Sequence, residues 1–184
     1  IGGSAGTLKH RLGRIEQPFA IMVRPDYIDQ MAVVSDQEKK DLESPVHPIV
    51  VLNKRDPTSH AAISNLHTIG CMLPYTGLHH LLFHHLRHPL LVMTSANMPG
   101  YPMITGNDQA MAKLNRDADF FLMHSRKIVN RCDDSVIRDG YIIRLSRGIA
   151  PKRTAIDLGK RCILPIWFTA LQSKTIWWLC SNLR

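Results

Sequence analysis

Short apolar runs separated by polar, turn-forming stretches restrict this chain to a small set of folds. Residues 18–23 (PFAIMV), 47–55 (HPIVVLNKR), 68–73 (TIGCML) and 90–97 (LLVMTSAN) each contain a compact apolar block of strand length. Blocks of this length, closed by turn residues, read as buried strands, and the one at 47–55 is the clearest, β-branched and four apolar residues deep. Helical composition fills the intervals: a basic helix end at 7–16, a helix at 26–42 stopped by Ser44-Pro45, leucines at helical spacing in 78–86, and a helix at 106–115 opened by Asn107 or Asp108. Residues 119–123, 127–129, 135–138 and 141–146 read as further short strands. Strands interleaved with helices predict an α/β domain, and the hairpin signal at Asp139-Gly140 predicts a mixed sheet.

At 184 residues and 45% hydrophobic content the chain suffices for one well-buried domain. We place that domain at residues 1–158. Residues 159–184 hold all three tryptophans and lose the periodicity of the body, and are left as an unassigned basic tail. From Arg144 onward eight Lys/Arg stand against the single acid Asp157, which accounts for +7 of the formal +8. The basic character therefore belongs to the end of the chain, and an anion site elsewhere has to be argued locally. The four cysteines (Cys71, Cys132, Cys162, Cys180) never approach a CxxC spacing and suit a reduced, cytoplasmic protein. No signal peptide is visible. Lys174, Gln172, Ser173 and Pro165 interrupt the most membrane-like window, 162–180, so no membrane association is expected.

Two polar constellations carry the chemistry. Residues 94–97 (TSAN) follow an apolar strand, where open sheets bind ligands, and short hydroxyl and amide groups accommodate phosphate oxygens; the plain alternative is a capped turn. Residues 131–138 (RCDDSVIR) lead to 144–148 (RLSRG), where arginine forks suit phosphate or carboxylate and Gly148 permits close backbone approach; the plain alternative is solvated arginines. His80, His84 and His88 have a metal-ligand spacing but no carboxylate partner, and read as a solvated face beside a Leu78/Leu81/Leu82 core stripe. Asp133 and Asp134 are adjacent and would face opposite ways in a strand, a poor magnesium pair. Walker, GxGxxG and GxSxG patterns are absent. No metal ligand set is assigned.

Taken in chain order, residues 17–22 (QPFAIM), 44–55 (SPVHPIVVLNKR), 71–82 (CMLPYTGLHHLL), 91–97 (LVMTSAN), 124–138 (HSRKIVNRCDDSVIR) and 144–151 (RLSRGIAP) resemble the YrdC-like domain of the HypF carbamoyltransferases, the hydrogenase maturation factors. The similarity spans residues 7–155. It implies a YrdC/RibB-like twisted mixed β-sheet flanked by helices, with a concave basic cavity. It also implies a longer parent with acylphosphatase, zinc-finger and carbamoyl-transferring parts, zinc being confined to parts outside this chain. The family has a strand and loop before the Arg14 motif, so a fragment is expected.

The implied chemistry is ATP-dependent, with magnesium: carbamate from carbamoyl phosphate is joined to ATP as carbamoyl-adenylate, then passed to a HypE-type protein for cyanide ligand synthesis. Of a Lys-x-Arg pair, Arg14 matches the arginine, while the lysine position falls on Leu12, with Arg11 and Lys9 as neighbouring substitutes. Ser95 and Asn97 match a Ser-x-Asn pair, Ser135 the hydroxyl after the aspartates and Arg147 the arginine before glycine. Catalytic roles are thus expected for Arg14, Ser95 and Asn97, and nucleotide contacts for Thr94, Ser135, Arg144 and Arg147. Two alternatives stay open: a threonylcarbamoyl-adenylate synthase acting in tRNA modification, and a non-catalytic module binding nucleotide or double-stranded RNA.

Overall fold

The computed structural model describes residues 2–98 and 100–151, with the backbone of 168–169 and 176–177. The chain divides into two units, Ile1–Ala150 and Pro151–Arg184. Of the second, one antiparallel strand pair is described, Phe168–Thr169 with Ile176–Trp177. The expected boundary at 158 and most of the tail fall outside the described residues.

The first unit opens with helix α1 (Gly2–Arg11), then β1 (Ala20–Val23), α2 (Ile28–Met31), β2 (Ala32–Val33), α3 (Asp36–Glu43), β3 (Ile49–Lys54) and β4 (Thr68–Met72). It continues through α4 (Gly77–His85), β5 (Leu90–Met93), α5 (Asn107–Leu114), β6 (Val136–Arg138) and β7 (Tyr141–Arg144). Seven strands form one sheet in the order β5-β1-β4-β3-β6-β7, with β2 sharing an edge of β3 with β6. The pairs β1/β4 and β3/β6 are parallel and the others antiparallel, giving the mixed sheet expected from the sequence. Asp139 (φ 49°) and Gly140 (φ 77°) make the β6–β7 turn, the left-handed pair that a tight hairpin needs.

Alternation along the strands divides the core in two. Ile21, Val23, Val50, Leu52, Ile69 and Cys71 belong to the larger cluster, which also takes Ala5, Leu12, Ile28, Met31 and Leu42 from the helical segments. Met22 and Met72 point the other way and cluster with Phe83 of α4, with Ile49, Leu91 and Met93 only partly covered. One face of the sheet is thus closed by helices, and the other is covered mainly at α4.

Cys71, fully buried in the larger cluster, has its thiol pushed up to about 12 by desolvation. The raised value means that the neutral thiol favours the folded state fully below the ordinary value of 9.0, and that this contribution is lost as pH climbs towards about 12. At roughly 1.36 kcal/mol per unit the loss amounts to about 4 kcal/mol, an added pH slope expected in the parent between pH 9 and 12 relative to Cys71→Ala, in which Tyr75 and Lys54 still titrate. Denaturant titrations of both proteins across that range check it. At pH 8 iodoacetamide should modify exposed Cys132 and spare Cys71 until the protein is unfolded.

Four sequence expectations are corrected. The single helix at 26–42 is broken, because β-branched Val33 and Val34 extend the chain and Ser35 restarts a helix through a capping box: Ser35 Oγ accepts from Glu38 N (3.3 Å) while Glu38 Oε2 accepts from Ser35 N (2.8 Å). Residues 119–123 and 127–129 form no strands, since neither run finds a sheet partner; Phe120, Leu122 and Val129 lie exposed. The N-cap of α5 is Gly106, without a side-chain bond, one residue before Asn107 and two before Asp108. Leu78, Leu81 and Leu82 are exposed rather than core; α4 turns Phe83 inward instead, onto Met22 and Met72.

Candidate functional site

Helix α1 ends in a Schellman motif that delivers Arg14. Gly13 adopts the left-handed conformation (φ 61°), Gly13 N donates to His10 O (3.1 Å) and Arg14 N donates to Lys9 O (2.8 Å). The turn sends the Arg14 side chain to the loop after β5. Its Nη1 donates to Thr94 Oγ1 (2.5 Å) and its Nη2 to the backbone O (2.9 Å) and Oδ1 (2.8 Å) of Asn97. Both nitrogens also reach Ser95 Oγ at 3.4 Å. Ser95 Oγ donates to Asn97 Oδ1 (2.5 Å), and Asn97 Nδ2 donates to the carbonyls of Tyr101 (2.7 Å) and Met98 (3.2 Å). The loop is therefore built around the guanidinium.

The electrostatics of this contact are unusual. Arg14 is 8% exposed, yet every acceptor it meets is neutral, and the ion pairs among the described residues involve Arg11, Arg24, Arg138 and Arg147 instead. A buried cation without a counter-charge costs several kcal/mol. Such an arrangement is stabilised when an anion arrives, and Thr94, Ser95 and Asn97 add hydroxyl and amide groups at the same place. Leu12, at the position where the resemblance expects a lysine, is 5% exposed in the core. Of its two neighbours, Arg11 pairs with Asp119 (3.1 Å) and Lys9 lies over the ring of Phe19 (5.7 Å).

Ser135 and Arg147 lie elsewhere. Thr94 to Asn97 follow the end of β5, which by register adjoins the start of β1 (Met93 opposite Ala20). Tyr75 follows the end of β4, beside the other end of β1 (Met72 opposite Met22), and Arg147 packs on Tyr75. Arg147 Nε and Nη2 donate to Asp134 Oδ1 (3.0 and 2.8 Å), Nη2 also to His47 O (2.9 Å) and Nη1 to Val46 O (3.3 Å), with the Tyr75 ring 4.3 Å below the guanidinium. Ser135 is fully buried: its hydroxyl accepts from Ser146 N and donates to Arg147 O, both at 2.9 Å. Arg144 is exposed at the end of β7, opposite Val136.

Sequence reasoning assigned no role to Tyr75, His47 or His79. His47 stacks on Tyr75 (5.4 Å between ring centres) and His79 meets it edge-on (4.7 Å). Burial lowers the His79 pKa, with His80 and Arg147 adding to the effect. Tyr75 stands inside the 71–82 segment already noted, and its aromatic type beside Arg147 is the one signal that could have marked it. Among the described residues no group of three or more His, Cys, Asp or Glu stands ready to hold a metal ion, and no helix is long and apolar enough to cross a membrane.

Comparison with known proteins adds a decisive observation: the Sua5/YciO/YrdC family model, described as telomere recombination, matches residues 6–146. The chain belongs to this family. Within it, the chain is 48% identical over 158 residues to the probable carbamoyltransferase HypF of Methanocaldococcus jannaschii, covering 82% of this chain and 20% of that protein. The carbamoyltransferase HypF of Rhodobacter capsulatus is 40% identical over 146 residues, covering 78% of this chain and 20% of that protein. The chain thus spans about a fifth of the length of these relatives. Among solved structures, T. kodakarensis HypF superposes with a TM-score of 0.78 at 42% identity, covering 91% of this chain and 21% of that one. A full-length HypF in phosphate- and nucleotide-bound form gives 0.76 at 39% identity, covering 83% and 25%. P. abyssi Sua5, complexed with L-threonine, shares the fold at 17% identity and a TM-score of 0.66, covering 78% and 44%. The sheet described above is the Sua5/YciO/YrdC sheet, and the sequence similarity within the family points to its HypF carbamoyltransferases.

Proposed function

We propose that this chain is the carbamoyl-adenylate-forming part of a HypF-type carbamoyltransferase, binding ATP at the Arg14, Thr94, Ser95 and Asn97 cluster. The observation that carries the reading is Arg14, a buried guanidinium held by neutral oxygens and lacking a carboxylate among the described residues. The similarity to HypF proteins, one of them solved with nucleotide bound, supports the substrate class.

In the reaction a carbamate oxygen attacks the α-phosphorus of ATP, the new P–O bond forms, and the bond to the β-phosphate bridge breaks to release pyrophosphate. Two anions must approach each other, so a fixed cation and hydroxyl donors are what the step requires, and no covalent nucleophile is needed. Arg14 would offset the repulsion, with Ser95 and Asn97 aligning the oxygens. Magnesium would neutralise phosphate charge and enter with the nucleotide. The product would then pass to a carbamoyl-transferring part of a longer polypeptide and on to a HypE-type partner in hydrogenase maturation.

The test is pyrophosphate release from ATP by this chain. Release driven by carbamate generated from carbamoyl phosphate is expected. Release driven by threonine with bicarbonate would instead select the threonylcarbamoyl-adenylate reading, and steeply salt-dependent affinity for double-stranded RNA without ATP chemistry would select the binding module.

A further inference from the structure

Lys54, the last residue of β3, is, with Arg14 and Lys9, one of three cations among the described residues that are buried without an ion pair. It is 5% exposed, and its ammonium donates to three backbone carbonyls, Ser64 O (2.7 Å), Ser59 O (2.8 Å) and Pro57 O (3.4 Å). Three donors meet three acceptors, so the group is saturated, and no described carboxylate forms an ion pair with it. Burial pushes its pKa down, partly offset by Asp56. A lysine rarely occupies such a place, because an apolar side chain would fill the volume without the desolvation cost. The cost points to a task that the charge performs.

All three carbonyls belong to the loop between β3 and β4, which turns at His60 with a left-handed φ of 55°. The far end of that loop is tied to the segment carrying Arg14. Ile63 O accepts from Phe19 N (3.0 Å), Ile63 is 1% exposed in the main core cluster, and Ser64 Oγ donates to Thr68 O (2.8 Å). Phe19 in turn closes the short segment from Arg14, where Gln17 N donates to Arg14 O (3.2 Å) and Lys9 lies over the Phe19 ring. One line of contacts therefore runs from Lys54 through the loop and Phe19 to Arg14.

We propose that Lys54 is a positioning residue for Arg14: its ammonium serves as a built-in monovalent cation that binds the 57–64 carbonyls and holds the loop against which the Arg14 segment is registered. For its effect on affinity the proposal rests on the nucleotide reading above. Replacing the ammonium frees the loop while leaving the Arg14 side chain chemically intact.

The experiment compares the full chain with Lys54→Met, which keeps the volume, and Lys54→Ala, which leaves space for a small cation. Two readouts are taken: ATP affinity by calorimetry and the Arg14 Nε–Hε resonance by nitrogen-edited NMR. Lys54→Met is expected to bind ATP roughly tenfold or more weakly, as a misplaced anion-binding group should, and to lose the dispersed Arg14 signal. In Lys54→Ala, ethylammonium chloride should restore both, whereas tetramethylammonium chloride at equal ionic strength should not. Parent-like affinity and an unmoved Arg14 signal in a folded Lys54→Met would overturn the proposal, as would equal recovery with either salt. If the parent itself fails to bind ATP, the functional reading falls, and the Arg14 resonance alone still decides the role of Lys54.

Discussion

Replacing Arg14 by methionine is expected to lower ATP affinity by about a hundredfold or more while costing no more than about 1 kcal/mol of stability. Charge-assisted hydrogen bonds contribute roughly 1.5–3 kcal/mol each, so losing two phosphate contacts from one fork removes about two to four powers of ten in binding. The stability side follows from burial. Arg14 is 8% exposed and its acceptors are neutral, so the fold bears the desolvation cost of a cation that its own residues do not neutralise. Methionine removes that cost together with the hydrogen bonds, and Ser95 and Asn97 keep their bond to each other. Arg14→Lys should fail to restore affinity, because a single ammonium cannot span Thr94 on one side and Asn97 on the other. Calorimetric titration with thermal unfolding of the same samples checks both halves. A large fall in midpoint with affinity retained would make Arg14 a structural tie.

Gly148→Ala is expected to destabilise the protein by about 3 kcal/mol. Gly148 has a φ of +83°, and a left-handed non-glycine residue costs about 1–2 kcal/mol. A Cβ at that position would lie 2.8 Å from Val46 Cγ1, 2.9 Å from Val46 O and 3.0 Å from Val46 Cα. Two of the three obstacles are backbone, so the chain must shift, at a cost of about 1–3 kcal/mol on the scale of overpacked cores. For a chain of this size the sum corresponds to a midpoint lowered by about 6–12 °C. The shift falls directly on the Arg147 contacts with Val46 O and His47 O. Val46→Ala in the same chain should recover only the part due to Cγ1. Thermal unfolding of the single and double variants separates the two contributions.

Several of these features were legible in the sequence, and the reasons differ. The sheet was, because each strand is a short apolar block and alternate residues divide between the two faces. The polar loop at 94–97 was visible as small polar residues directly after an apolar strand, and the structure gathers Thr94, Ser95 and Asn97 on Arg14. The restart at Ser35 could have been read from Ser35 and Glu38, a capping-box pair within what looked like one continuous helix. Other features depend on long-range contacts that leave no periodic mark. Arg147, expected from the resemblance to contact a nucleotide and with a solvated arginine as the plain alternative, is tied to Asp134, Val46 and His47 and stacked on Tyr75. Lys54 reads as the polar end of a strand, and only the folded loop supplies the carbonyls that bury it. Ser135, expected beside a nucleotide, has both bonding directions used between Ser146 and Arg147. Arg14 and Arg147 share a residue type but not an environment. One is uncompensated at the β5 end of the sheet and the other is neutralised by Asp134 beside β4.

The most direct measurement is a calorimetric titration of the full chain with ATP and magnesium, repeated with Arg14→Met. Saturable binding by the parent that is lost in the variant, with both proteins equally folded, is the expected result. Absence of binding by the folded parent, or equal binding by the two, would contradict the assignment of the Arg14 cluster as the nucleotide site.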